Sequence, residues 1–174
     1  MASSVRRTTS VLAIAALGCG GSSAEAPVGV SAQGATTARF VFDSLDDRPV
    51  TSEALAGKPA VLAFVTTWDL ASQAELGFLG AMAKRDEGRV RYAGVVLGER
   101  SEREVAERYR DALAAPFPIA RADLATASSA GFGEVRAVPC VIVLDARGRI
   151  VLRRDGLSKP EDLRPAINLA LAAK

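Results

Sequence analysis

The chain has 174 residues, 49% of them hydrophobic, with 22 Lys and Arg against 20 Asp and Glu and a net charge of +2. That length holds one domain plus an extension, and so balanced a charge leaves no electrostatic footprint for nucleic acid. Histidine is absent, which excludes a histidine general base, a His-containing zinc site and a Ser-His-Asp triad.

The first 18 residues read as a secretory signal. Arg6 and Arg7 form a positive n-region, and Val11 to Leu17 form an apolar run too short to span a bilayer. Ala16-Leu17-Gly18-Cys19 then resembles a bacterial lipobox, with Cys19 as the acylated residue; cleavage near Ala24-Glu25-Ala26 is the alternative and leaves a soluble periplasmic protein. Residues 19–37, rich in Gly, Ser, Ala and Thr, read as a flexible tether. The domain is expected over 38–174. Without residues 1–18 the basic and acidic side chains number 20 each.

Phe40 and Phe42 alternate with Val41 as in a short strand, and Asp46-Asp47-Arg48-Pro49 is turn chemistry. Ala60 to Val65 is apolar without alternation, as expected of a central strand covered on both faces. Leu70, Ala74, Phe78, Ala81 and Met82 recur at helical spacing, and Ser72 with Glu75 reads as a capping box. Arg91 to Leu97 is the next strand. Ser101 and Glu104 read as a second capping box ahead of a stripe of Val105, Tyr109 and Leu113. A short helix follows around Leu124–Ala130. Cys140–Leu144 and Ile150–Arg153 flank the turn Ala146-Arg147-Gly148-Arg149 as a hairpin. The last helix starts near Pro160 with Leu163, Ile167 and Leu171 inward, and Pro165 predicts a kink or a late start.

Three separated segments carry a family resemblance. Phe64-Val65-Thr66-Thr67-Trp68-Asp69-Leu70-Ala71-Ser72-Gln73-Ala74-Glu75 is similar to the strand–helix junction of thioredoxin-fold envelope proteins of the TlpA/ResA-like (redoxin) group. Val138-Pro139-Cys140-Val141-Ile142-Val143-Leu144-Asp145-Ala146-Arg147-Gly148 resembles their later Val-Pro segment. Asp46 to Val50 and Leu55 to Pro59 resemble their opening hairpin. The resemblance implies an α/β, thioredoxin-like three-layer sandwich, a mixed central sheet with helices on both faces. It also implies a cis Val138-Pro139 bond facing the active-site helix.

Where that group carries Cys-x-x-Cys, this chain has Asp69 and Ser72. A helix N-terminus activates a thiol there, and a second thiol resolves the mixed disulfide. Neither sulfur is present. Asp69 reads instead as a helix cap, and Ser72 has no base to activate it. A peroxiredoxin-like Thr-x-x-Cys would fall on Thr66 to Asp69 and fails in the same way. Cys140 is the remaining thiol of the domain. It is either a single-thiol catalyst or sensor, or a small buried hydrophobe.

Trp68, Val138 and Pro139 are candidates for gripping an extended peptide, with Phe64 and Phe132 lining the same groove or belonging to the core. The leading expectation is a redox-inactive, lipid-anchored cell-envelope module that binds an envelope protein or peptide. The rival is a thiol-disulfide oxidoreductase or antioxidant protein using Cys140. No cofactor and no metal site are expected.

Overall fold

The computed structural model describes residues 37–173. The signal and nearly all of the tether, Cys19 included, lie outside the described residues. Seven strands form one sheet in the order β2-β1-β5-β4-β3-β6-β7. They are β1 (Val41–Ser44), β2 (Val50–Thr51), β3 (Ala60–Val65), β4 (Arg91–Leu97), β5 (Ile119–Ala122), β6 (Cys140–Leu144) and β7 (Ile150–Asp155). The helices are α1 (Leu70–Asp86), α2 (Arg103–Leu113), α3 (Leu124–Ser129) and α4 (Pro160–Ala172). β3, β4 and β5 are parallel, while β6 and β7 complete one side as an antiparallel hairpin.

The unbroken apolar run of β3 is buried along its whole length because both faces are covered. Val61, Ala63 and Val65 face one core, with Leu76 and Leu79 of α1, Ala106 of α2 and Leu163 of α4. Leu62 and Phe64 face the other, with Phe40 and Phe42, Ala127 of α3, and Phe132. That is the expected three-layer arrangement, helices on both faces of a mixed sheet. The opening hairpin is also present, with Val41 opposite Thr51 and Phe42 opposite Val50.

Local expectations in three helices need correction. In α1 Met82 is buried as expected, but the other inward residues are Glu75, Leu76 and Leu79, and Leu70 is exposed. Apolar residues lie all round this helix, so their spacing does not set its phase. Asp69, not Ser72, is its cap. Ser101 caps nothing: a 3₁₀ turn over Arg100–Glu102 precedes α2, closed by reciprocal bonds between Glu99 and Glu102. Val105 is exposed, and Ala106 takes its place in the core. In α4 the inward residue is Ala170 instead of Leu171. The helix begins at Pro160 as expected, with Pro165 inside it, so the late start does not occur.

The Val138-Pro139 bond is cis. Cys140 lies opposite Phe64, so Pro139 falls beside the end of β3 where the chain turns into α1. The resemblance placed it there.

Candidate functional site

The corner between β3 and α1 is built by a helix start. Asp69 has extended backbone and its carboxylate accepts from the N–H groups of Ala71 (3.2 Å) and Ser72 (2.9 Å). These are two of the donors that a helix N-terminus leaves without intrahelical partners. The Ser72 hydroxyl donates to Asp69 Oδ2 at 2.8 Å and accepts from the Thr66 N–H at 3.2 Å. Ser72 is completely buried. Hydrogen bonds from the Ser72 hydroxyl and N–H, then from Ala71, hold the Asp69 carboxyl below its usual range. Both residues that stand at the motif positions therefore spend their polar atoms on each other and on the backbone. Neither residue is a thiol.

Behind this corner lies a group that the sequence reading misassigned. Glu75, one turn further along α1, is completely buried, and its Oε2 accepts the Ser158 N–H at 2.7 Å while Oε1 has no partner. Burial pushes its carboxyl up to about 7, against the opposing effects of the Ser158 N–H and Arg154. The signal was available, since the resemblance itself includes the glutamate at this spacing. The capping-box reading absorbed it.

Ser158 belongs to the loop joining β7 to α4. In the same loop Gly156 N–H donates to the Pro139 carbonyl at 2.7 Å. Gly156 has a φ of 88°, in the left-handed region that glycine enters without a Cβ penalty. Three segments are thus tied together: the Asp69 helix start, the cis-Pro139 approach to β6 and the 156–158 loop. Their exposed apolar side chains are Trp68 (81% exposed), Leu70 (81%) and Leu157 (44%). Val138 is half-buried and the Pro139 ring is buried.

Phe64 and Phe132 do not line this surface. Both are buried, 5.7 Å apart between ring centres, and belong to the core beneath. Cys140 is a free thiol with no exposed surface. Burial pushes its thiol up to about 12, helped by Asp155, which lies opposite it on β7. A thiol so placed holds almost no thiolate at neutral pH and cannot be reached by a disulfide. Among the described residues no cluster of three potential metal-ligating side chains occurs.

Fold and corner together define a thioredoxin-like α/β protein. No family model matches the chain, and no curated protein matches its sequence. Solved structures do match. A thiol:disulfide interchange protein of the thioredoxin family from Chlorobium tepidum superimposes with a TM-score of 0.65 at 20% identity, over 78% of this chain and 94% of that one. A DsbF homologue from Corynebacterium diphtheriae gives 0.69 at 19% identity, over 78% and 86%. StoA from Bacillus subtilis gives 0.61 at 19% identity, over 75% and 97%. At these identities the likeness shows the fold.

Proposed function

We propose that this protein is a cell-envelope module that keeps the thioredoxin-like fold, carries out no dithiol exchange at Asp69 and Ser72, and uses the cis-Pro139 corner to bind an extended apolar segment of another protein. One observation carries the reading. The polar groups at the motif positions are all consumed internally, and the only domain thiol is buried, while Trp68 and Leu70 at the start of α1 and Leu157 in the β7–α4 loop stay exposed, on two segments joined through the Glu75–Ser158 hydrogen bond. Large apolar side chains gathered on a surface have a cost in water that docking a partner removes. Binding beside a cis-proline loop needs backbone hydrogen bonds and pockets, and no sulfur. The envelope location rests on Arg6-Arg7, the short apolar run and Cys19 as lipid attachment point. Neighbours in fold include proteins described as secreted. No described helix is long and apolar enough to cross a membrane.

Trp68 is the only tryptophan and reports on its own surface. Titration with a panel of extended apolar peptides is expected to shift its emission to the blue, and Leu70→Asp is expected to abolish the saturable response. Emission that stays at the solvent-exposed value across the panel would overturn the docking role.

A further inference from the structure

We infer that a groove at the opposite end of the sheet binds an amphiphilic carboxylate, an anionic head on an alkyl or aromatic body. The groove is a cavity of about 460 Å³, within the range of small-molecule sites. It lies between the β1–β2 turn, the end of α1 and the start of β4. Arg91 is opposite Ala60, the first residue of β3, whereas the Asp69 corner follows the last residue of β3. The two sites are therefore a strand length apart and independent.

The floor is aromatic and buried: Tyr92 and Phe117 stack with ring centres 6.2 Å apart. Pro49, Pro116 and Pro118 stiffen the walls, because each has a fixed φ and little entropy left to lose when a ligand binds. No carboxylate lines the groove, but two guanidinium groups do. Arg48 is neutralised by Asp46 at 2.6 Å. Arg91 is not: it donates through one nitrogen to the Ala54 carbonyl and joins no ion pair among the described residues. Lys58 is also outside any such pair, and its ammonium donates to the carbonyl of Gly88, a lining residue, at 2.7 Å. The nearest buried acid, Asp86, is committed to Arg164 and Tyr92. An apolar trough with the unpaired Arg91 guanidinium in its wall, and the Lys58 ammonium bonded to the backbone of the lining residue Gly88, selects against cations and accepts an anion whose body is apolar. A guanidinium has the planar donor fork that suits a carboxylate. A neutral amphiphile would fill the trough and leave those donors unused.

The test is a nitrogen-15 NMR titration of the purified chain with sodium decanoate, and with decan-1-ol as the uncharged control. Decanoate is expected to shift the amides of Arg91, Tyr92 and Phe117 in a saturable way, with decan-1-ol binding about tenfold more weakly. Lys58→Gln changes an exposed side chain and is expected to weaken decanoate severalfold while leaving decan-1-ol unchanged. Arg91→Gln should weaken it further. Equal affinity for acid and alcohol, shifts confined to residues away from the groove, or an unchanged affinity in both variants would each contradict the inference. Peptide titrations at Trp68 should be indifferent to Lys58→Gln, so failure at one site leaves the other reading standing.

Discussion

At the scale of single residues, Asp69 shows one use of the electrostatic field at a helix start. A helix N-terminus carries roughly half a positive charge. Under a cysteine that field yields a reactive thiolate; under an aspartate it holds a carboxylate that already accepts three hydrogen bonds. Glu75 shows the reverse, a carboxylate kept where ionisation is unfavourable. Its folded pKa of about 7 lies above the ordinary 4.5. The folded state therefore binds a proton between these values that the unfolded chain has released, and stability from this group falls as pH rises through that window. Its ceiling at alkaline pH is of order 3 kcal/mol. Glu75→Gln is expected to match the wild type in urea melts near pH 4 and to exceed it increasingly as the pH rises to about 7. A difference between the two that does not change with pH would contradict this account. Ser72 and Asp69 were legible in the sequence as structural residues. The burial of Glu75 follows from no local spacing, since a loop 83 positions away returns to cover it, and only the glutamate within the resembling segment pointed to it.

At the scale of elements, legibility followed hydrophobic pattern. β3 and β6 have the boundaries read from the sequence because each is an uninterrupted apolar run closed by Thr or Asp, and β4, whose Tyr92 to Leu97 is broken only by Gly94, is closed by Gly98. α1 has no single apolar face, so its rotation was misread. Its true orientation is fixed by the Asp69 cap at one end and a buried charge network at the other. There Asp86, 1% exposed, accepts from Arg164 of α4 at 2.7 Å and from the Tyr92 hydroxyl of β4. Arg164 lies 78 positions from Asp86, and no local pattern joins the two. Removing one side of a buried ion pair leaves the other charge without compensation, at a typical cost of about 3 kcal/mol. Arg164→Ala is expected to lower stability by roughly that amount. Adding Asp86→Asn should recover part of the loss, because the carboxylate otherwise keeps only the longer Arg89 pair at 3.8 Å and the Tyr92 hydroxyl. A loss below about 0.5 kcal/mol in Arg164→Ala, the level of an exposed pair, would show that the network is not a clamp.

At the scale of the whole molecule, the chain reaches its first described residue at the end of the sheet away from the Asp69 corner. Thr37 pairs with Arg149, in the β6–β7 turn. A lipid at Cys19 would thus be joined to the domain at the end opposite the docking surface proposed above. Mass spectrometry of the mature N-terminus is expected to find a diacylated or triacylated Cys19, and Cys19→Ala is expected to release the protein from membranes. An unmodified N-terminus near Ala26 would leave the docking account intact and make the protein a soluble one. The central claim is that the fold is kept while its redox chemistry is absent, and insulin-disulfide reduction tests it most directly. The unmodified chain is predicted to show no activity above background, and Asp69→Cys with Ser72→Cys to restore measurable turnover, since the helix N-terminus that lowers a thiol pKa is still in place. Robust reduction by the unmodified chain, lost in Cys140→Ser, would contradict the account and make Cys140 the nucleophile.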